Sequence, residues 1–437
     1  MLDRAYRADV VVVGAGIAGL AAAAHLTRAG VTTVVLEAAP CVGGRMATEK
    51  VDGFRLDRIG RPLSTAYPEL HRTPGLEQLV LRPFAPGVLV HSGGHRHRAG
   101  EPARPRSARG ALTAVRALTS APRNPRGGPP DRTRRVPALA RLTGTPVRRL
   151  PARPELSTAE DLAARGLPPR TVDGFLRPLL AALLCDPELI TAGRGADRAL
   201  HAFVSGRLCL PEGGADTMPE LLANALPPGT VHTGVRATAI STTSVRTEAH
   251  GTFHCRAVIL ATGARAAAEL LPGLRVPTFH QVTVVHHTAD EPPLTDPSLL
   301  LDADRVGPVA HTAVTSQIDP TRAPAGRALI SSTVLGPPPP HLDETVRRHL
   351  SRLYGTSTSH WELLTAHHDP EAVPTMPPPY DPHRPVRLLS GLYVCGDHRD
   401  TNSVQGALHS ARRAARAALA DIGGQAPTTE EPVQAAA

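Results

Sequence analysis

The chain has 437 residues, 41% of them hydrophobic and 20% charged, with a formal net charge of +9. That is too long for one small core and suits two intimate domains of a soluble globular protein. Five scattered cysteines without a C-x-x-C pair exclude a disulfide framework, a dithiol redox pair and a zinc ribbon, and 3% aromatics excludes an aromatic cage as the whole of a binding site.

The first element is an apolar strand over 10–13, running into Gly14-Ala15-Gly16-Ile17-Ala18-Gly19. A helix over 20–29 follows, then a strand over 33–36 closed by Glu37 and Ala38. Strand, glycine loop, helix, strand and acid at about 20 residues' distance form the dinucleotide-binding fingerprint. Gly14 permits the tight turn, Gly16 lets backbone approach a pyrophosphate, and Gly19 lets the helix pack on the sheet. The helix N-terminus offers N–H groups and a positive dipole end to phosphate. Glu37 is placed to accept hydrogen bonds from a ribose diol. An N-terminal apolar run that contains this fingerprint is not a signal peptide, and no segment approaches the ~20 apolar residues of a membrane span. The expectation is a cytoplasmic protein.

Next comes Gly43-Gly44-Arg45, where paired glycines allow close backbone approach and a guanidinium forks onto phosphate or sits beside a flavin. This favours FAD over NAD. The stretch 67–204 leaves the dinucleotide pattern. Within it, 101–150 holds twelve arginines against Glu101 and Asp131 and no aromatic residue. It reads as an Arg/Pro-rich lid or linker, with peripheral contact to anionic lipid as the second reading; without aromatics to stack bases, nucleic acid is not an expected partner. Gly193-Arg194-Gly195 lacks a third glycine and a preceding strand, so no second fingerprint for NAD(P)H exists.

The pattern returns over 205–275, with a helix at 218–225, a short strand at 231–235, strands within 237–247 and 252–260, and a small-residue turn at Ala261 and Gly263. It departs again over 276–385, with strands at 281–287 and 328–334 and a helix at 342–353. The last block is a strand ending in Gly396-Asp397, followed by Val404-Gln405-Gly406-Ala407 and a helix over 411–420. Asp397 is a candidate for a sugar hydroxyl. A helix opening near Gly406 would aim its positive end at the pyrimidine side of an isoalloxazine. The FAD-binding domain is then discontinuous, 1–66, 205–275 and 386–424, with 67–204 and 276–385 as substrate domain and 425–437 as a disordered tail. The histidine clusters at 91–97, 286–287 and 367–368 lack metal-binding spacing, so no metal is expected. His398, beside Asp397, is the one weak candidate for acid–base catalysis. Cys395 is a packing residue rather than a covalent flavin anchor.

These four blocks, in this order, resemble the flavin amine oxidase and phytoene desaturase superfamily. Asp52-Gly53-Phe54-Arg55-Leu56-Asp57, Phe175-Leu176-Arg177-Pro178, Asp186-Pro187-Glu188-Leu189 and Pro211-Glu212-Gly213-Gly214 are similar to its desaturase-like branch. The resemblance implies a Rossmann-like FAD-binding domain with an α+β substrate domain, non-covalent FAD, and an adenine contact at Val235. The chain departs from the branch at Ile59, Ala215 and Ala411, where relatives usually carry Gly, Met and Gly.

The amine-oxidising members place a lysine near the flavin. This chain has a single lysine, Lys50, beside the nucleotide loop. The expected reaction is therefore dehydrogenation of a largely apolar small molecule by hydride transfer to flavin N5, with oxygen or a quinone reoxidising the cofactor. Amine oxidation is the alternative. An FAD-binding scaffold without turnover is the alternative of another class.

Overall fold

A computed structural model describes residues 6–100 and 155–423. The Arg/Pro-rich stretch 101–150 and the tail 425–437 lie outside the described residues. Every residue of the strand Val10–Val13 is buried, as a continuous β-branched run in a parallel sheet should be. It sits near the centre of a six-stranded sheet ordered Val231–His232, Thr33–Leu36, Val10–Val13, Ala257–Leu260, Leu392–Val394, Arg387–Leu389. All neighbours are parallel except the last pair.

Alternate side chains face opposite ways along a strand. Val10 and Val12 face the helices Ile17–Arg28 and Val404–Ile422, while Val11 and Val13 face a four-stranded sheet through Val245 and Phe253. The first of these helices starts at Ile17, not at residue 20, because Gly16 is already its N-cap. The second starts at Val404, close to the expected opening near Gly406, and runs through 411–420 to Ile422. Ser403 caps it, its side chain accepting from the Gly406 N–H at 3.2 Å.

A second sheet of seven strands is ordered Glu362–Pro374, Phe279–Ala289, Ala328–Leu335, Val309–Val314, Leu300–Asp302, Val88–Ser92, His95–Ala99. Its pairings are antiparallel except Leu300–Asp302 with Val88–Ser92. The helix Leu342–Tyr354 covers one face through Val346, Leu350 and Leu353. Helices Arg177–Leu184 and Gly193–Ser205 pack against the sheet's Val88, Val90 and Leu301. Gly193 and Gly195 thus open a helix of this second layer. Among the described residues, no helix is long and apolar enough to cross a membrane.

Arg322 joins the two layers. Its side chain is 2% exposed and donates to Asp57 Oδ2 at 2.7 Å, Asp319 Oδ2 at 3.2 Å and the Pro211 carbonyl at 2.9 Å. Asp57 also accepts from the Thr48 hydroxyl and the Ala215 N–H. Asp319 accepts from the Gly213 N–H at 2.8 Å. One guanidinium therefore ties the hairpin Thr48–Val51/Phe54–Asp57 to the Gly213-Gly214 turn. Burial opposes ionisation of Asp57, but Arg322 and the donated hydrogen bonds hold its carboxyl below the ordinary range.

Arg322→Ala leaves two carboxylates buried without their cation, and should lower the unfolding free energy by about 3–5 kcal/mol in urea denaturation at neutral pH. The folded-state pKa of Asp57 is depressed, so its contribution is complete above the unfolded value of about 3.9 and fades as pH falls through the folded one. Wild type should lose stability steeply below about pH 4, and Asp57→Asn should flatten that limb.

Candidate functional site

A cavity of about 790 Å³ runs from the fingerprint loop to the edge of the seven-stranded sheet. Such a volume suits a large cofactor with room for a small molecule. Gly14 sits on its wall with φ +105°, and an added Cβ there would meet the Ala261 carbonyl oxygen at 2.9 Å. At Gly16 an added Cβ would meet nothing within 4 Å. The space beside that Cα is the cavity itself. Ile17 and Ala18 continue the wall. No side chain caps this helix N-terminus and no acid lies in its first turn, so its N–H groups remain available to an anion.

Gly43 and Gly44, at φ +118° and +58°, cross beneath the loop. Gly43 donates its N–H to the Ala15 carbonyl at 2.9 Å. The cradle has two layers of glycine backbone, and its donor chemistry fits a pyrophosphate.

Glu37 and Ala38 close the same end. The Glu37 carboxylate accepts from the Ala15 N–H at 2.7 Å and the Ala39 N–H at 2.9 Å, which fixes its orientation and leaves lone pairs for a diol. Val235, Ala261 and Gly263 complete the wall. Val235 is held by its N–H to the Glu37 carbonyl at 2.8 Å.

At the other end, Gly396, Asp397, Val404 and Ala407 reach the cavity. Arg45 pairs with Asp397 Oδ1 at 2.7 Å and donates to the Ala372 carbonyl at 2.8 Å. Burial works against the Asp397 carboxylate, but the Arg45 guanidinium keeps its pKa below the ordinary value. The pair clips the first nucleotide loop to the last block and to the strand Glu362–Pro374.

Four expected site residues are not on the wall. Gly19 lies inside the helix, where an added Cβ would stand 1.9 Å from the Gly14 carbonyl oxygen; it is a packing glycine. Gly406 is its counterpart in the C-terminal helix, with the Thr401 carbonyl oxygen at 1.9 Å. Gln405 points elsewhere and accepts from the Glu69 N–H at 3.0 Å. His398 is 6% exposed, and burial pushes its imidazole down to about 4, so it stays neutral at physiological pH.

The wall also holds residues that no local motif marks. Arg61 donates to the carbonyls of Leu183 and Asn402, and joins them to the cavity edge. Ile59, Leu63, Leu210, Phe279 and Val373 form an apolar flank, and Asp369 and Glu371 a more polar one. The departures Ile59 and Ala215 both face the cavity, whereas Ala411 is fully buried between helices. Lys50 pairs with Asp216 at 3.6 Å and is off the wall, which carries no lysine among the described residues. Nothing local could mark Arg61 or Phe279; the fold alone brings them to the nucleotide strands.

Known proteins supply the comparison. A model described as "Flavin containing amine oxidoreductase" matches residues 17–419. Putrescine oxidase of Kocuria rosea is 50% identical over 68 residues, 16% of this chain and 14% of that protein. Carotenoid 3,4-desaturase of Haloarcula japonica is 51% identical over 49 residues, 11% of this chain and 10% of that protein. The chain therefore aligns with only a small part of the length of these relatives. The crystal structure of an oxidoreductase from Methanosarcina mazei superposes with TM-score 0.69 at 18% identity, covering 93% of this chain and 99% of that one. The fold is thus a Rossmann-like flavin-binding layer with an α+β second layer, and family membership implies a flavin. The chain belongs to the flavin-containing amine oxidoreductase family.

Proposed function

We propose that this protein is an FAD-dependent oxidoreductase that dehydrogenates a largely apolar small molecule. The observation that carries the reading is the single cavity in which a glycine cradle at one end is continuous with a lysine-free apolar flank at the other. On this reading the six-stranded layer is the FAD-binding domain, assembled from 1–66, 205–275 and 386–424, and 67–204 with 276–385 form the substrate domain.

Bound there, FAD supplies a hydride acceptor. The residues of the chain bind, orient and shield. Helix N–H groups at Ile17 and Ala18 and the Gly44 N–H would take the pyrophosphate, while the Gly43 N–H holds the two loops together through the Ala15 carbonyl. Glu37 would take the ribose diol, and Val235 would border the adenine. Arg45, fixed by Asp397 and the Ala372 carbonyl, presents a placed positive charge between the two ends. Ile59, Leu63, Leu210, Phe279 and Val373 exclude water from the reacting carbon.

The binding is non-covalent. Cys395, the cysteine of the Gly-Asp block, is fully buried and off the wall, and burial pushes its thiol up to about 12. It is neither exposed nor ionised enough to attack a flavin. Among the described residues the apolar flank carries no basic side chain, so a weak base such as the Asp369 carboxylate on the wall, or a water, would receive the substrate proton. Oxygen or a quinone then serves as final acceptor. The stretch 101–150 would rest on anionic lipid or serve as a linker.

A second reading is amine oxidation. The Asp369 carboxylate on the wall is suited to an ammonium group, whereas Glu371 is already paired with Arg265, and putrescine oxidase is among the relatives. Anaerobic mixing separates the two. Flavin bleaching by polyene or polycyclic C–H donors, with none by primary or secondary amines, is the expected result. Bleaching by amines alone would make the second reading the correct one. A flavin that neither photoreduces nor reoxidises in air would point to a scaffold.

The cradle makes a sharper prediction. Gly16→Val adds bulk where the protein leaves space, so it should fold with an unchanged circular dichroism spectrum yet purify with at least about 10-fold less flavin, since a steric block of this kind forfeits 1.4 kcal/mol or more. Gly19→Ala should act in the opposite way. Its Cβ collides with backbone, and it should lower stability by about 3 kcal/mol in urea denaturation.

A further inference from the structure

Far from the large cavity, the one parallel seam of the seven-stranded sheet gathers His91, Asp302 and Asp304. Asp302 lies opposite His91 in register, and the Ala303 N–H donates to the His91 carbonyl at 3.0 Å. One ligand atom from each of the three lies within 4.8 Å of the others. His91 Nδ1 stands 3.4 Å from Asp304 Oδ2 without a hydrogen bond. Asp302 Oδ2 has His349 Nε2 beside it at 3.3 Å. His91, Asp302 and His349 are 6%, 3% and 4% exposed. Buried polar atoms in a native fold are nearly always satisfied, so the buried and unpartnered His91 Nδ1, turned toward two carboxylates, indicates a missing partner.

We propose that His91, Asp302 and Asp304 bind a divalent transition cation of the zinc class. Two carboxylates and a neutral imidazole form a nitrogen–oxygen donor set whose negative charge a dication balances. Tetrahedral ligation at about 2.0–2.2 Å sets adjacent ligand atoms roughly 3.4 Å apart, the separation found between His91 and Asp304.

The surrounding groups already hold the ligands in place. Gly93 N–H donates to both Asp304 oxygens at 3.0 and 2.9 Å, and Asp304 N–H donates to Asp302 Oδ1 at 3.1 Å. His349 Nδ1 accepts from the Val309 N–H at 3.2 Å, so its proton sits on Nε2, facing Asp302. This is the outer carboxylate–imidazole contact that orients a metal-bound carboxylate. His349 is a positioning residue.

A second group, His383, Asp400 and His409, lacks these marks. Asp400 Oδ2 accepts from His409 Nδ1 at 2.8 Å and from Arg413 at 3.3 Å, so a guanidinium already supplies the positive charge. Residues 91 and 302 are too far apart in the chain for any local spacing to signal the seam site. None of its ligands lines the large cavity, so the cation would fasten two strands rather than take part in the redox chemistry.

The experiment uses the full flavin-loaded chain, stripped with EDTA, desalted and titrated with Zn²⁺ in a calorimeter. One Zn²⁺ per chain and a raised thermal midpoint are expected. His91→Gln and Asp304→Asn should each weaken uptake at least 100-fold, and His349→Asn about 10–100-fold, with flavin content unchanged as the check on folding. Anomalous scattering at the zinc edge from wild-type crystals locates the ion independently of any variant. A wild type that takes up no Zn²⁺, variants that bind as tightly as wild type, or a zinc peak at His383 and His409 would each overturn the proposal.

Discussion

The ion cluster around Arg322 is the constraint on which the rest of the structure depends. A guanidinium with two carboxylates, removed from water, is costly unless every polar atom finds a partner. Here the partners come from three distant parts of the chain: Asp57, the Pro211 carbonyl, and Asp319 with its Gly213 bond. A buried charge satisfied in this way tolerates little displacement. It fixes the hairpin end at Asp57 and the turn at Gly213, and so the places of Ile59 and Ala215 on the cavity wall. The shape of the cavity is set by an electrostatic requirement a few residues behind its wall.

Arg45 and Asp397 do similar work at the cofactor end. The two are 352 residues apart in sequence and 2.7 Å apart in space. Their pairing answers the question of what the guanidinium after Gly43-Gly44 is for. It is held by the protein's own carboxylate and by the Ala372 carbonyl, so its charge is aimed before any ligand arrives. Preorganised charge of this kind needs no reorganisation when a phosphate or a ring enters.

The nucleotide half was legible in the sequence because its signals are local. Val10–Val13 and Thr33–Leu36 occupy the expected residues, since a short apolar run between a charged start and a glycine turn has few other readings. The first helix start was misplaced, at 20 against Ile17, because glycines in a first turn look like loop, whereas the last helix, expected to open near Gly406, opens at Val404. Gly19 packs its helix, as its place in the fingerprint implies, and Gly406, expected at the cofactor, is crowded by backbone in the same way; glycine at a crowded backbone crossing and glycine at an open one are the same letter. The second layer was only partly legible. Strands at 281–287 and 328–334 were visible as alternating runs, but the seven-strand order, Arg322, Arg61 and Asp302 depend on long-range pairing that no local window holds.

The C-terminal helix carries one more consequence. Ala411, Ala414, Ala415 and Ala418 are fully buried in the cluster that also holds Ala21, Ala22 and Ala23 of the fingerprint helix. Small side chains let the two helices lie close, and the strand Leu392–Val394 sits beside Ala257–Leu260 in the same layer. The face that the fingerprint helix leaves open is therefore covered by a helix more than 370 residues further along the chain. During synthesis the fingerprint helix leaves the ribosome with its alanine face uncovered, and it stays so until nearly four hundred further residues have followed. Pairing at such separation is slow to form and leaves apolar surface exposed meanwhile. The nucleotide layer is thus incomplete until Val404–Ile422 has docked against Ile17–Arg28, whatever the first block can form alone.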